Sequence, residues 1–313
     1  MRIGLLGASA IAPNAVIRPA AARDDVTVTA VAARQADRAR AYADRHGIPR
    51  VAAGYAELVS RDDVDLVYCA LPPSLHAEWC RAAVRAGKIV LLEKPFAMDA
   101  TDATAIVATG GVVIEAFHYR FHSQFGRACD LVASGAIGEI VAASAVFDAS
   151  IRPDDPIRWD PACGGGGMMD LGCYAVHALR TLLRVEPAVV GASAEFRSGI
   201  DAQLSADLRF GDARATIGCS MLGGDAQIVT LEGSAGRLTL DHFVAPHDGG
   251  TLTLETAAGR TVEAATGPTT YEAQLDHVVR VFRGEEAPRT GGADAIANMA
   301  VIDAVRAAAR GQT

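Results

Sequence analysis

The stretch MRIGLLGASAIAPNAVI, residues 1–17, admits two readings that lead to different folds. A basic start, an apolar run and a small-residue site at Ala8-Ser9-Ala10 describe a cleavable secretory leader. A buried strand, a glycine turn and a helix start, in that order, describe the opening of a dinucleotide-binding domain. On the second reading Arg2–Leu6 is the strand, and Gly7-Ala8-Ser9-Ala10-Ile11-Ala12 stands in for G-x-G-x-x-G. Gly7 permits the tight turn. The small Ser9 lets the backbone at Ser9, Ala10 and Ile11 approach a pyrophosphate, and Ala12 lets the next helix pack against the strand. Such strings arise by chance in an Ala-rich chain, so the context has to arbitrate.

The chain has 313 residues, more than one core usually serves, and two domains are expected. Half of it is apolar and 21% is charged, the composition of a soluble globular enzyme. A net charge of −8 argues against a nucleic-acid partner, which needs a basic face. No apolar stretch reaches the roughly 18 residues that span a bilayer, so no membrane partner is expected. Cys69, Cys80, Cys129, Cys163, Cys173 and Cys219 are scattered without a C-x-x-C pair, a reduced, intracellular pattern. His118 and His122 lie four apart, but no H-E-x-x-H or cysteine partner accompanies them, and no metal is expected.

Up to about residue 120 the chain alternates between strand and helix patterns. Apolar, β-branched runs at Arg2–Leu6, Val26–Ala32, Val64–Ala70, Ile89–Leu92 and Val112–Glu115 are separated by helix-like stretches at Ala12–Ala22, Ala36–His46, Ser74–Ala86 and Thr101–Thr109. That rhythm predicts a doubly wound parallel sheet covered on both faces. Beyond residue 120 a helix near Phe125–Ala133 and a strand at Glu139–Phe147 lead through Gly164–Gly167 to a helix over Met168–Leu183. Period-2 runs at Val189–Phe196, Gln203–Phe210, Ala213–Leu222, Ala226–Leu231 and Arg237–Phe243 follow, then helices at Tyr271–Phe282 and Ala293–Ala309. The expected fold class is α/β: a dinucleotide-binding domain over residues 1–120 and an α/β domain over 121–313 with an open, mostly antiparallel sheet.

Two positions refine the chemistry. An NAD binder places Asp or Glu at the end of the second strand, on the ribose 2′-hydroxyl. Here the strand ends in Ala33-Arg34-Gln35, with Arg38 four residues beyond Arg34. A guanidinium there suits a 2′-phosphate, so NADP(H) is expected over NAD(H). Glu93-Lys94-Pro95 stops the strand Ile89–Leu92. The carboxyl ends of such strands face the ligand crevice, which directs Lys94 toward a nicotinamide.

Gly7-x-Ser9-x-x-Ala12, Leu71-Pro72-Pro73-Ser74-Leu75-His76, Glu93-Lys94-Pro95, Glu115–His122 and Gly164–Tyr174 follow one another in order. Together they resemble the glucose–fructose oxidoreductase / inositol dehydrogenase / MocA family over essentially the whole chain. The resemblance implies a Rossmann domain followed by an open-sheet α/β domain, with the active site between them. It also implies hydride transfer between NAD(P) and a hydroxyl or carbonyl carbon, usually of a sugar or polyol. Lys94 matches the family's Glu-Lys-Pro lysine and Asp170 the acidic residue of the glycine-run helix. Tyr174 stands where many members carry a catalytic His, which places the chain nearer the branch resembling dimeric dihydrodiol dehydrogenase and NADP-linked xylose dehydrogenase. Leu71-Pro72-Pro73 departs from the Pro-Asn usual at that turn, which removes a side-chain amide from the cofactor's surroundings.

Oxidising an alcohol removes a hydride from carbon and a proton from oxygen, and the protein must handle the proton. Tyr174 is the expected proton donor or acceptor, with Lys94 lowering its pKa and Asp170, four residues earlier, orienting substrate or Lys94. Arg120, Arg158 and His177 are expected to join Lys94, Asp170 and Tyr174 in binding substrate. Leu71, His76, Glu93 and Lys94 are expected to join the turn residues Gly7, Ser9, Ala10, Ile11 and Ala12, with Arg34 and Arg38, in binding the cofactor. Tyr271 is a further candidate for the cleft. Two other readings stay open: a non-catalytic NADP(H)-binding regulator, and an imine or pyrrole reductase resembling biliverdin reductase. The family commonly assembles through its C-terminal sheet, so a homodimer or homotetramer is expected. With a nucleotide-binding reading for residues 1–17, the chain is expected to be cytoplasmic.

Overall fold

The structure, a computed structural model, describes residues 1–311. It divides into two compact units, Met1–Phe117 with Tyr271–Ile296, and His118–Thr270 with the stretch from Ala297 onward.

The first unit is built on strands β1 (Arg2–Leu6), β2 (Thr27–Ala32), β3 (Arg50–Val51), β4 (Leu66–Cys69), β5 (Ile89–Leu92) and β6 (Val113–Glu115). All pair in parallel, in the order β3-β2-β1-β4-β5-β6. β4 is buried along its whole length and β1 along all but its first residue, which is why these segments read as continuous apolar runs. Helices α1 (Arg18–Ala21), α2 (Ala36–His46), α3 (Tyr55–Ser60), α4 (His76–Arg85) and α5 (Ala100–Val107) connect them. α2 stops at Gly47, whose φ of 66° is left-handed, and Asp99 caps α5 by accepting from the Asp102 amide. The sheet order reverses between β1 and β4, so the ligand crevice of this topology lies beyond their carboxyl ends.

The helix expected over Ala12–Ala22 is instead a π-turn, Pro13–Ile17, running into α1. Pro19 has no amide to continue an α-type ladder, and the Arg18 amide reaches five residues back to Pro13. β3 and α3 went unread because two and six residues are too few to show a period.

The second unit holds α6 (Ser123–Ala133), β7 (Ile140–Asp148), α7 (Cys173–Leu183) and the strands β8 (Ala188–Arg197), β9 (Ile200–Phe210), β10 (Ala213–Ser220), β11 (Gln227–Gly233), β12 (Gly236–Asp241), β13 (Thr251–Thr256) and β14 (Gly259–Ala264). Among the described residues they form an eight-stranded sheet, β14-β13-β12-β11-β7-β10-β9-β8, antiparallel except for the β7–β10 pair. α7 packs on β7, β10 and β11. Along β9, Leu204, Ala206 and Leu208 turn inward while Gln203, Ser205, Asp207 and Arg209 face out. The α/β class, with a doubly wound parallel sheet and a larger mostly antiparallel one, is as expected. β13 and β14 were not anticipated; every residue of β14 is exposed, so no apolar alternation marks it.

The division of the chain differs from 1–120 and 121–313. From Tyr271 onward, helix α8 (Thr270–Phe282) and the segment after it return to the first unit, and α9 (Gly292–Ala309) starts there. Arg23 pairs with Asp25 at 2.8 Å and with Asp276 at 3.1 Å, Arg283 reaches Asp25 at 2.7 Å, and Thr290 donates to the Glu115 carbonyl at 2.7 Å. Leu275, Val278 and Val279 of α8 are buried. The ion pairs Arg23–Asp276 and Arg283–Asp25 span 253 and 258 positions and the Thr290–Glu115 bond spans 175, which a single pass along the chain does not reveal.

Candidate active site

The turn after β1 is shaped by Gly7, whose φ is +101°; a Cβ there would lie 2.8 Å from the Ala70 carbonyl oxygen. Its amide donates to the Ala32 carbonyl at 2.9 Å, tying the turn to the end of β2. The Ser9 hydroxyl accepts the Ala12 amide at 3.2 Å, so it acts as a brace within the turn. Tyr42 donates to the Ser9 carbonyl and Arg38 to the Ala8 carbonyl, each at 3.0 Å. No hydrogen bond among the described residues takes up the amides of Ser9, Ala10 or Ile11. Three unpaired donors in one strand-to-helix turn suit a diphosphate. Arg34 and Arg38 are exposed where β2 passes into α2, and Asp37 between them pairs with Arg40 at 2.6 Å. Burial pushes the nearby Tyr55 phenol above its usual value while the charges of Arg34 and Arg38 pull it back. This donor set fits a phosphorylated dinucleotide.

The second segment of the first unit is Glu93-Lys94-Pro95, directly after β5, with a cis Lys94–Pro95 bond. Tyr68 of β4 donates to Glu93 at 2.6 Å, fixing the carboxylate beside its own strand. His76 opens α4 and is fully buried, with Nε2 2.8 Å from the Leu71 carbonyl and Nδ1 3.1 and 3.3 Å from those of Pro95 and Phe96. The ring therefore joins the turn after β4 to the turn after β5. Burial outweighs the three carbonyls and takes its pKa down to about 4, so the imidazole is neutral at neutral pH. Sequence reasoning set His76 against the cofactor; its buried ring nitrogens face backbone instead, and any effect on cofactor passes through the two turns. Leu71 is buried at the same corner, and Lys94 is half-buried.

In the second unit the glycine run is a demand of space. A Cβ on Gly165 would sit 2.4 Å from the Arg158 carbonyl oxygen, and one on Gly166, at φ +124°, 2.4 Å from Asp201 Oδ1. Asp201, buried at the start of β9, accepts the Met168 amide at 2.5 Å. It satisfies one of the orphan donors where the chain turns helical, and burial raises its carboxyl pKa against that bond. Met168–Gly172 forms a π-turn before α7, so Asp170 lies on the turn and Tyr174 on the first turn of the α-helix. Asp170 accepts from Arg158 Nε at 2.7 Å, and Arg158 Nη1 meets Asp155 at 3.0 Å. Arg158, expected to bind substrate, is thus held between two carboxylates.

Tyr174 is buried among rings. Phe147 meets it edge-on at 5.4 Å between centroids, and Tyr119 and His118 each lie at 5.9 Å. Its hydroxyl is 3.3 Å from His118 Nε2, and His118 Nδ1 is 2.8 Å from the Thr270 hydroxyl. His177 is buried on the same helix, and the Tyr119 hydroxyl meets its Nδ1 at 2.5 Å, so that nitrogen is taken by protein rather than offered to substrate. The guanidinium of Arg120, another expected substrate contact, lies 5.7 Å over the Phe125 ring, a cation–π distance. Tyr271 is half-buried at the start of α8. Sequence reading did not find Tyr119, Thr270, Asp201 or the part His118 plays. Among the described residues no cluster of three His, Cys, Asp or Glu is arranged to hold a metal, and no helix is long and apolar enough to cross a membrane.

Residues 1–110 match the family described as "Oxidoreductase family, NAD-binding Rossmann fold", and residues 125–239 match its "GFO/IDH/MocA C-terminal domain". A D-xylose 1-dehydrogenase (NADP(+)) from Haloferax volcanii is 35% identical, over 97% of this chain and 96% of its own. A dTDP-3,4-didehydro-2,6-dideoxy-alpha-D-glucose 3-reductase from Streptomyces violaceoruber is also 35% identical, over 99% and 95%. Among solved structures, a 3-ketoreductase from Actinomadura kijaniata in complex with NADP and TDP-benzene superposes with a TM-score of 0.90 at 29% identity, covering 98% of this chain and 97% of that one.

Proposed function

The chain belongs to the GFO/IDH/MocA oxidoreductase family, and from that premise we propose that it moves a hydride between NADP(H) and a secondary alcohol or ketone carbon of a sugar, polyol or related cyclic substrate. The observation that carries the reading is Tyr174, a phenol caged by aromatic rings with its oxygen on His118. That is the equipment for holding and moving one proton at a substrate oxygen. When bound, the nicotinamide supplies or takes the hydride.

Tyr174 gives a proton to the carbonyl oxygen in reduction and takes it back in oxidation. Lys94 supplies positive charge that favours the developing oxyanion on the substrate. Asp170, fixed by Arg158, orients the substrate hydroxyls. Ser9, Ala10 and Ile11 offer their amides to the diphosphate, and Arg34 with Arg38 takes the 2′-phosphate, which favours NADP(H) over NAD(H). The NADP(+) in the Haloferax relative's name and the NADP in the Actinomadura structure support that preference. Sugar substrates in the names of both curated relatives support the substrate class. The open sheet of the second unit supports a homodimer or homotetramer.

The test is a steady-state screen: NADP⁺ with D-xylose and other aldoses, and NADPH with keto-sugars and cyclic imines. Turnover of at least one carbohydrate, with higher kcat/KM for NADP(H) than NAD(H), is expected. Turnover of imines alone would make it an imine reductase, and nucleotide binding with no turnover would make it a sensor.

A further inference from the structure

We propose that His118 is the proton acceptor behind Tyr174, so that the phenol passes its own proton to His118 Nε2 as it takes one from the substrate hydroxyl. The inference rests on the reading of Tyr174 as the acid–base residue and extends it by one partner. A free phenol, with a pKa of about 10, is a weak base at neutral pH, whereas an imidazole near 6.5 is a competent one. The second unit places the two in contact.

Three observations support the relay. Tyr174 Oη lies 3.3 Å from His118 Nε2, and the packing of Phe147 and Tyr119 against the phenol ring holds that oxygen in place. His118 Nδ1 lies 2.8 Å from the hydroxyl of Thr270, itself fully buried. With its proton on Nδ1, donated to Thr270, the ring presents a bare lone pair at Nε2 to the phenol. Finally, His177 is engaged with Tyr119 at 2.5 Å, so the two histidines of this ring cluster serve different tyrosines.

The step balances as follows. In oxidation the carbinol C–H bond breaks and its electron pair leaves with the hydride. The substrate O–H bond breaks and a new O–H bond forms at Tyr174. The original Tyr174 O–H bond breaks and an N–H bond forms at His118 Nε2, leaving an imidazolium whose Nδ1–H stays on Thr270. Reduction runs the same transfers backward, and the imidazolium exchanges its proton with solvent between turnovers.

The first test needs neither nucleotide nor substrate. Nitrogen-15 NMR of histidine-labelled protein, with His118→Gln to identify the signals, should show His118 protonated at Nδ1 and bare at Nε2. Tyr174→Phe should move the Nε2 resonance and leave Nδ1–H in place, and Thr270→Val should release the tautomer. A proton found on Nε2 of the resting enzyme overturns the proposal. The second test is kinetic, with NADP⁺ and D-xylose or the best carbohydrate of the screen. His118→Gln should lower kcat by at least about 10²-fold with KM within about twofold. Added imidazole should restore part of the rate to His118→Ala, which a packing role would not allow. If Tyr174→Phe turns over like the wild type, the acid–base reading itself fails. If Tyr174→Phe is inactive while His118→Gln keeps the wild-type kcat, the relay alone fails.

Discussion

Arg34 stands exposed at the end of β2, four residues before Arg38, with the intervening Asp37 turned to Arg40. If it pairs with a 2′-phosphate, Arg34→Asp removes a charge-assisted contact of about 1.5–3 kcal/mol and adds repulsion, raising KM for NADP(H) at least about tenfold. KM for NAD(H) should change by less than about threefold, and steady-state kinetics with both nucleotides checks the difference. Asp201 poses a different question at the same scale. It is buried and accepts the Met168 amide, so Asp201→Ala leaves a buried donor unmatched. A loss of about 1–3 kcal/mol is expected in denaturant unfolding, and Asp201→Asn, which keeps an acceptor, should lose less. Lys94, Asp170 and Tyr174 could be proposed at this scale because Lys94 sits in Glu93-Lys94-Pro95 and the other two follow the glycine run Gly164–Gly167. His118 and Thr270 were not, since a bond spanning 152 residues leaves no local mark.

The turn carrying Lys94 is tied to the turn after β4 by one imidazole, and that link has a sign in pH. The folded pKa of His76 is held at about 4 by burial, below its ordinary 6.5. The unfolded chain therefore binds the proton first as pH falls. The neutral ring's contribution is fully present above about pH 6.5 and is lost between there and about pH 4, at up to about 1.4 kcal/mol per pH unit. His277, also lowered by burial, acts in the same direction. Replacing His76 with Gln should flatten the fall in stability between pH 6.5 and 4 relative to wild type, as read by chemical denaturation at several pH values. An unchanged slope would show that the ring is not held neutral. Element boundaries were legible where chemistry punctuates them, as at Gly47 and Asp99. They were obscure where a proline redirected the ladder, as in Pro13–Ile17, or where a strand has no buried face, as in β14.

At the scale of the whole molecule, the alternation of buried strands and helices over the first 115 residues made the parallel sheet readable, and the period-2 runs beyond it made the larger sheet readable. The return of Tyr271–Ile296 to the first unit was hidden, because ion pairs and buried side chains from the far end of the chain carry it. A chain ending at Thr270 should therefore melt at a lower temperature than the full chain and bind an apolar dye; equal melting curves would show that the returning segment adds no stability. Light scattering should give a mass two or four times that of the single chain, as the proposed assembly requires, and the single-chain mass would remove it. The most direct measurement is single-turnover hydride transfer from enzyme-bound NADPH to the best keto-sugar of the screen, wild type against Tyr174→Phe. A rate at least about 10²-fold lower in the variant, with nucleotide affinity unchanged, is the expected result. Equal rates would contradict the assignment of the proton to Tyr174.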